Sequence, residues 1–299
     1  MLLQHLVTFC RVVEEGSFTK AAQVQNMTQP SVTKQVGALE EHLKVQLFTR
    51  AAKQVRLTPA GQMVYDYARQ ILGLVGKCEQ SVAALKMPGA GHVTLGCVHT
   101  IGLFTLPDLL AEYARAWPHV RINVRTGSIN ETIAMVLQGE VDLGLVTSPV
   151  AHERLESRAL FEDPLVVVAA PSLAARLPAE VSLSVLAQQP LIAYVRGSRF
   201  RTATEQLLEQ AGIKPEIVME FDTHDAIKTM VGLGFGVAVA PHSVVAKDIA
   251  RGDLVALSIA NLPSSSRTAS LILRRDEGRP PAVASFLSLL DRHFPAPKA

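Results

Sequence analysis

The chain has little with which to build a disulfide framework, a membrane span or a metal centre. Its three cysteines, Cys10, Cys78 and Cys97, show no CxxC spacing; so few thiols without a pairing pattern fit a reducing cytoplasm. No apolar run approaches the roughly 20 residues that cross a bilayer. The start, MLLQHLVTFCRVVEEGS, lacks a basic leader, and Leu2, Leu6, Phe9 and Val13 recur at helical spacing, so it reads as the first helix of the fold. The nine histidines form no HExxH or other close metal pairing. The GLGFG run, Gly232–Gly236, lacks the GxGxxG spacing and follows a helical pattern instead of preceding one, the wrong order for a phosphate loop. Ser31-Val32-Thr33-Lys34 matches an S-x-x-K nucleophile pattern, yet no second catalytic element accompanies it. These absences argue against catalysis, and no cofactor, metal or membrane contact is expected.

Net charge is also small, +2 over 299 residues. It is unevenly placed: residues 1–90 hold ten Lys/Arg against six Asp/Glu, and the remainder holds 19 against 21. A basic front and a slightly acidic back suit a chain whose first part alone meets phosphate.

What is present begins at Ser17–Leu43. Ser17 can cap one short helix with Phe18, Ala21, Ala22 and Val24 on its apolar side; a turn follows at Asn26-Met27. Thr28 can cap a second helix, with Pro30 in its first turn. Val32, Val36, Leu39 and Leu43 recur at steps of four, three and four, one face of a helix. The other face carries Gln29, Ser31, Thr33, Lys34 and Gln35, rich in donors and acceptors and free of acid until Glu40. Such a pair is either a solvated helical hairpin or a helix-turn-helix whose second helix lays its first residues on base edges in the major groove. Next, QLFTRAAKQVRLT places short apolar segments around a basic turn containing Arg50, Lys53 and Arg56, a hairpin wing able to reach phosphates or a minor groove.

Thr58-Pro59 opens a helix running to about Lys86, about 42 Å long. Along it Val64, Ala68, Ile71, Val75, Cys78, Val82 and Leu85 alternate steps of four and three, a heptad seam suited to pairing with a second helix. Gly73 and Gly76 weaken an isolated helix here, so packing must hold it. Cys78 reads either as a thiol facing its partner across a dimer axis or as a small apolar residue. Met87–Gly91 breaks the helix. Beyond it strands and helices alternate, which means a parallel sheet with helices on both faces: strands at 92–98, 120–126 and 141–146 with helices at 101–117 and 129–138, then strands at 155–160 and 165–170 separated by Asp163-Pro164. A second unit follows, with strands at 191–194, 217–221 and 237–240 and helices beginning at Arg199 and Thr223. A strand at 267–273 and a helix at 281–293 are expected to return to the first sheet.

GSFTKAA, TQPSVTKQV, LEEHL, QLFTR and VRLTPAG, in this order and spacing, resemble the DNA-binding domain of LysR-type transcriptional regulators; GHVTLG, LPDLLAEYARAWPHV, GEVDLGLV and GLGFGVAVAP resemble the family's effector-binding domain. Two departures stand out: Lys44 replaces the glycine usual after the recognition helix, and Thr33-Lys34 stands where Ser-Arg is commoner, so bidentate guanine reading at Lys34 loses its planar fork. The resemblance implies an α/β chain in four parts: a winged helix-turn-helix at 1–58, a linker (dimerisation) helix at 59–87, effector lobe I at 91–161 plus 265–299, and lobe II at 162–264, the two lobes resembling a periplasmic binding protein. It implies DNA contacts from Gln29, Pro30, Ser31, Thr33, Lys34, Arg50 and Lys53. It also implies a homodimer, a homotetramer of two dimers, double-stranded promoter DNA as partner, and contact with RNA polymerase.

Ligands of open parallel sheets bind at strand C-terminal ends, beside helix N-termini. Here those positions offer Thr100, Ile101, Ser128, Thr147, Arg196, Ser198, Thr223 and His224, with Arg199 and Arg201 adding positive charge. Hydroxyls, free N–H groups and arginines favour an organic anion as effector. Any single hydroxyl is equally a helix cap. The competing readings are a ligand-independent DNA-binding repressor and a stand-alone solute-binding protein.

Overall fold

A computed structural model of the chain describes residues 3–49, 55–86, 90–275 and 278–295. The front of the chain is three short helices, α1 (Leu3–Glu15), α2 (Phe18–Val24) and α3 (Gln29–Leu43), followed by the long α4 (Pro59–Lys86). Both expected caps form: Ser17 Oγ accepts from Lys20 N and Thr28 Oγ1 from Ser31 N. Asn26, at φ +51°, makes the turn between α2 and α3, a left-handed conformation that its short polar side chain tolerates. Val32, Val36 and Leu39 are buried against Phe9, Ala21 and Ala22. Phe48 sits 5.4 Å from the rings of both Phe9 and Phe18, joining the wing to this core. The wing is closed by an antiparallel bridge between Phe48 and Leu57, and Glu40 Oε1 accepts from Leu47 N at 2.7 Å. Gly61 allows the wing to meet α4, since a Cβ there would lie 2.1 Å from the Leu47 carbonyl oxygen.

Three details of the helix pair differ from the periodicity reading, the first being Leu43, which ends α3 exposed. Val24 is 52% exposed, because α2 is only seven residues long and ends before its last turn can reach the core. Gln35 turns inward: its Oε1 lies 2.6 Å from the hydroxyl of the fully buried Thr8. On α4 the heptad seam divides. Ala68 is buried and Val64 packs on the front core, whereas Ile71 and Val82 are exposed together with Met63, Tyr67 and Leu74. The first turns are claimed by their own domain, and the stripe left open is rotated toward Met63 and Tyr67. Gly73 has a packing reason, because a Cβ at that position would lie 3.0 Å from the Gly139 carbonyl oxygen of the following domain. The break expected at Met87–Gly91 lies largely outside the described residues.

Beyond it come β1 (Gly91–Val98), a π-helical turn (Ile101–Thr105), α5 (Leu106–Ala116), β2 (Val120–Gly127), α6 (Ile129–Leu137), β3 (Leu143–Val146) and β4 (Leu155–Ala169). Then follow α7 (Pro171–Ala174), α8 (Leu183–Ala187), β5 (Leu191–Tyr194), α9 (Arg199–Gln210), β6 (Ile217–Phe221), α10 (His224–Gly232), β7 (Ala238–Pro241), α11 (His242–Arg251), β8 (Val255–Ala256), β9 (Ser266–Arg274) and α12 (Pro281–His293). The strand order is β2-β1-β3-β9-β4-β7, with β8 also on β4. β1 runs parallel to β2 and β3; β9 is antiparallel to β3 and to the first half of β4.

The two strands read at 155–160 and 165–170 are one. β4 continues through Asp163-Pro164 and changes partners there, leaving β9 for β7 and β8. Pro164 is tolerated at the end of the β9 ladder, and Asp163, 4% exposed, is pinned by Ser243 N, Ser243 Oγ and Arg267. β4 and β9 thus form the passage between two lobes. The core of lobe I includes Leu95, Leu145 and Phe286, with α12 returned beneath β1 through Tyr113, whose hydroxyl donates to Ala282 O at 2.7 Å. In lobe II, β5 parallels β6 and bridges β7.

Candidate functional site

On α3, Gln29, Pro30, Thr33 and Lys34 are exposed and Ser31 half-buried. Ser31 Oγ lies 2.8 Å from Thr28 Oγ1, and Thr33 Oγ1 donates to Gln29 O at 3.0 Å, which ties both hydroxyls to the first turn. The surface keeps an unbroken polar, acid-free strip over the first two turns. Arg50 and Lys53 lie outside the described residues.

The second feature is a cleft of about 920 Å³ between the lobes, at the C-terminal ends of β1 and β3 and the start of β9. Of the expected residues, Thr100, Ser128, Thr147, Thr223 and His224 line it. The other three do not. Ile101, 4% exposed, is part of the lobe I core. Ser198 caps α9 by accepting from Arg201 N. Arg196 opens onto a separate depression of about 860 Å³ on the outer side of α9. Arg201 is also withdrawn: it is 3% exposed and donates to Glu205, Glu220 and Tyr194 O. In the first turn of α9, Arg199 and Phe200 line the cleft, while Arg201 lies on the other side, at the wall of the outer depression.

Ser128 and Thr223 also work as caps. Ser128 forms a capping box with Glu131, and its N–H and hydroxyl hold that carboxyl below its usual range. Thr223 Oγ1 accepts from Ala226 N. In contrast, the side-chain hydroxyls of Thr100, Thr147 and Ser148, all on lobe I, have no partner among the described residues. They are the hydroxyls that the lobe I wall leaves free; on the lobe II side the side chains of Arg199, Gln206 and Asp222 are likewise without a hydrogen-bond partner among the described residues.

Among the lining residues that escaped the sequence reading are Phe104, Phe200 and Arg267. Phe104 belongs to lobe I but packs into the lobe II core beside His224, carried across by the π-helical turn, a distortion often found at functional sites. Phe200 lies 4.6 Å from the His224 ring and 5.0 Å from Tyr194. Arg267 starts β9; its Nη2 donates to Asp163 at 2.5 Å and its guanidinium lies 5.0 Å over Phe200. The only hint of it in the sequence was a lone arginine among hydroxyl residues where a strand begins.

His224 is neutral. Burial first, and the positive charge of Arg267 second, lower its pKa from 6.5 to about 4. Burial raises the Tyr194 phenol, so it stays protonated, 2.6 Å from His224 Nδ1. With the phenol donating to Nδ1, Nε2 carries the proton, an uncharged donor on the aromatic wall.

Residues 3–62 match the family model described as "Bacterial regulatory helix-turn-helix protein, lysR family", and residues 88–295 match that of the LysR substrate binding domain. Among curated relatives, the HTH-type transcriptional regulator GltR of Bacillus subtilis is 29% identical over 98% of this chain and 97% of its own length. YofA, a second HTH-type regulator of that organism, is 34% identical over 80% of this chain and 81% of its own. Among solved structures, a full-length OxyR from Pseudomonas aeruginosa superposes with a TM-score of 0.72 at 23% identity, covering 100% of this chain and 99% of its own, a likeness of fold. Full-length CbnR in complex with its target DNA gives 0.67 at 26% identity over 98% of this chain and 100% of its own. These relatives are regulators and not enzymes. The chain belongs to the LysR family: it is a DNA-binding transcriptional regulator carrying the family's substrate-binding domain.

Proposed function

We propose that the chain controls a promoter in response to a small organic anion held between its two lobes. The cleft carries this reading: its lobe I wall presents the free hydroxyls of Thr100, Thr147 and Ser148 at adjoining strand ends, with Arg199 and Arg267 as cations. On the DNA side the reading rests on Gln29, Pro30, Ser31, Thr33 and Lys34 entering a major groove, with Arg50 and Lys53 of the wing on phosphates or a minor groove. The exposed stripe Met63, Tyr67, Ile71, Leu74 and Val82 on α4 supports pairing with a second copy. A dimer then presents two recognition helices to half-sites about 34–36 Å apart, or a multiple of that; two dimers acting together are part of the same reading, as is residence in the cytoplasm.

Regulation follows from linkage. An effector shifts the assembly by its differential affinity for two lobe arrangements, and so changes the spacing of the recognition helices. Fluorescence anisotropy of the full chain on its own upstream region, against random duplex at physiological salt, tests the DNA half. A preference for the native region is expected, and its absence overturns the proposal. A thermal-shift series with charged and neutral metabolites tests the effector half. Stabilisation by neutral or cationic ligands alone removes the anion.

A further inference from the structure

We infer that the effector is a planar aromatic monocarboxylate, with its carboxylate on Arg267 and the lobe I hydroxyls and its ring on the Phe104, Phe200 and His224 wall. This rests on the cleft being the effector site.

The anionic end is placed by register. β3 pairs Val146 with Ser270, so Thr147 and Ser148 leave the sheet beside Ala269 and Thr268, one residue from Arg267. β1 pairs Cys97 with Leu145, so Thr100 leaves just beyond, on the neighbouring strand. Arg267 and the three unpartnered hydroxyls therefore share one corner. The arginine is incompletely satisfied: Asp163 takes Nη2, while Nε is buried with no acceptor. Stacking on Phe200 and the bond to Asp163 hold the guanidinium plane, which pre-organises its remaining N–H groups for a carboxylate. Asp163 cannot turn to supply the missing acceptor, because Ser243 N and Oγ hold its two oxygens.

The rest of the cleft sets the body of the ligand. Leu103, 61% exposed, with Phe104, Phe200 and the neutral His224, makes a wall of rings and one aliphatic side chain. Burying a flat π surface is what such a wall does best. The lobe II edge carries Asp222 and Asp225 together with Arg199 and with Lys228, which lies 3.4 Å from Asp225. These charges offset one another, so the far end has no net positive charge for a second carboxylate, and the ligand has one negative charge and not two.

Isothermal titration of the full-length protein with cinnamate, its neutral amide, the ring-saturated 3-cyclohexylpropanoate, and the aliphatic dicarboxylate glutarate tests this, with indole-3-acetate and benzoate as ring-size variants. Saturable binding of the aromatic acids is expected. Cinnamamide should bind at least roughly thirtyfold more weakly, and the saturated acid roughly three- to tenfold more weakly. Arg267→Gln should abolish binding. Arg267→Lys, which keeps the charge for Asp163 but loses the planar fork, should weaken it by a smaller factor. Phe200→Leu should close the gap between aromatic and saturated acids.

Binding of glutarate in preference to every aromatic acid overturns the aromatic class and leaves an anion cleft standing. Equal binding of cinnamate and its amide overturns both this inference and the anion reading. No binding by any aromatic acid also overturns the class.

Discussion

Lys44 offers the sharpest test of how this front domain is held together. It ends α3 at φ +54°, ψ +34°, where its N–H and that of Val45 close the helix on Glu41 O and Glu40 O. A side chain with a Cβ pays roughly 1–2 kcal/mol to sit in that left-handed region. Glycine removes that strain but brings an unfolded chain with more freedom, costing about 0.4–1 kcal/mol. Lys44→Gly should therefore stabilise the domain by about 0.5–1 kcal/mol, or about 2–8 °C if the front domain melts as its own unit. Circular dichroism melts of the full chain, with Lys44→Ala and Lys44→Asn alongside, give the readout. Gly should melt highest, Asn between, and Ala no higher than the native lysine. If Gly and Ala melt together, removal of charge explains the change and backbone strain does not.

Gln29→Ala should reduce preference for the native site over random duplex, with little change in the salt slope, because it removes a base-edge donor and acceptor and no charge; anisotropy titrations at several salt concentrations would show the opposite if Gln29 met only phosphate. Arg69 pairs Glu14 of α1 and Glu140 of lobe I, the latter at 2.8 Å; Arg69→Ala removes this bridge and leaves Glu14 with Arg11 and Glu140 with Arg125. It should cost on the order of 1 kcal/mol and separate the unfolding of the front domain from that of lobe I in urea; a single transition at the native midpoint would refute the tie. The folded-state pKa of His224 lies below its ordinary value, so the neutral ring contributes full stability above about pH 6.5 and loses it progressively as pH falls toward about 4. In His224→Gln that part of the acid decline should disappear from urea midpoints measured across pH 7.5 to 4.5, and an unchanged decline would mean the histidine is solvated.

Local signals were enough for the front of the chain. Ser17 and Thr28 stand where helices need acceptors, Asn26 where a turn needs a positive φ, and Val32, Val36 and Leu39 repeat at the helical period. Each of these depends on neighbours within a turn or two of chain, so the order of residues carries the information. The same holds for the 28 residues of α4 and for the alternation of strand and helix behind it.

What the periodicity could not carry was the allocation of faces and the meeting of distant segments. The α4 seam was visible, but which half of it the front core would claim depended on where α1 and the wing came to lie. Asp163-Pro164 looked like a break because proline ends most ladders; β4 runs through it because Ser243 and Arg267, some 80 and 104 positions away, arrive to hold Asp163. Ser198 and Arg196 stood at a strand end as a ligand site requires, yet one caps its helix and the other faces outward. Arg267, Phe104 and Phe200 meet only when two strands pass between the lobes and a π-helical turn swings a ring across. Sequence by itself determined the helix pair, the long helix α4 and the alternation of strand and helix behind it, because those arise from local propensity and hydrophobic period. Tertiary structure alone decided which side chains line the cleft, because that depends on contacts between residues far apart in the chain.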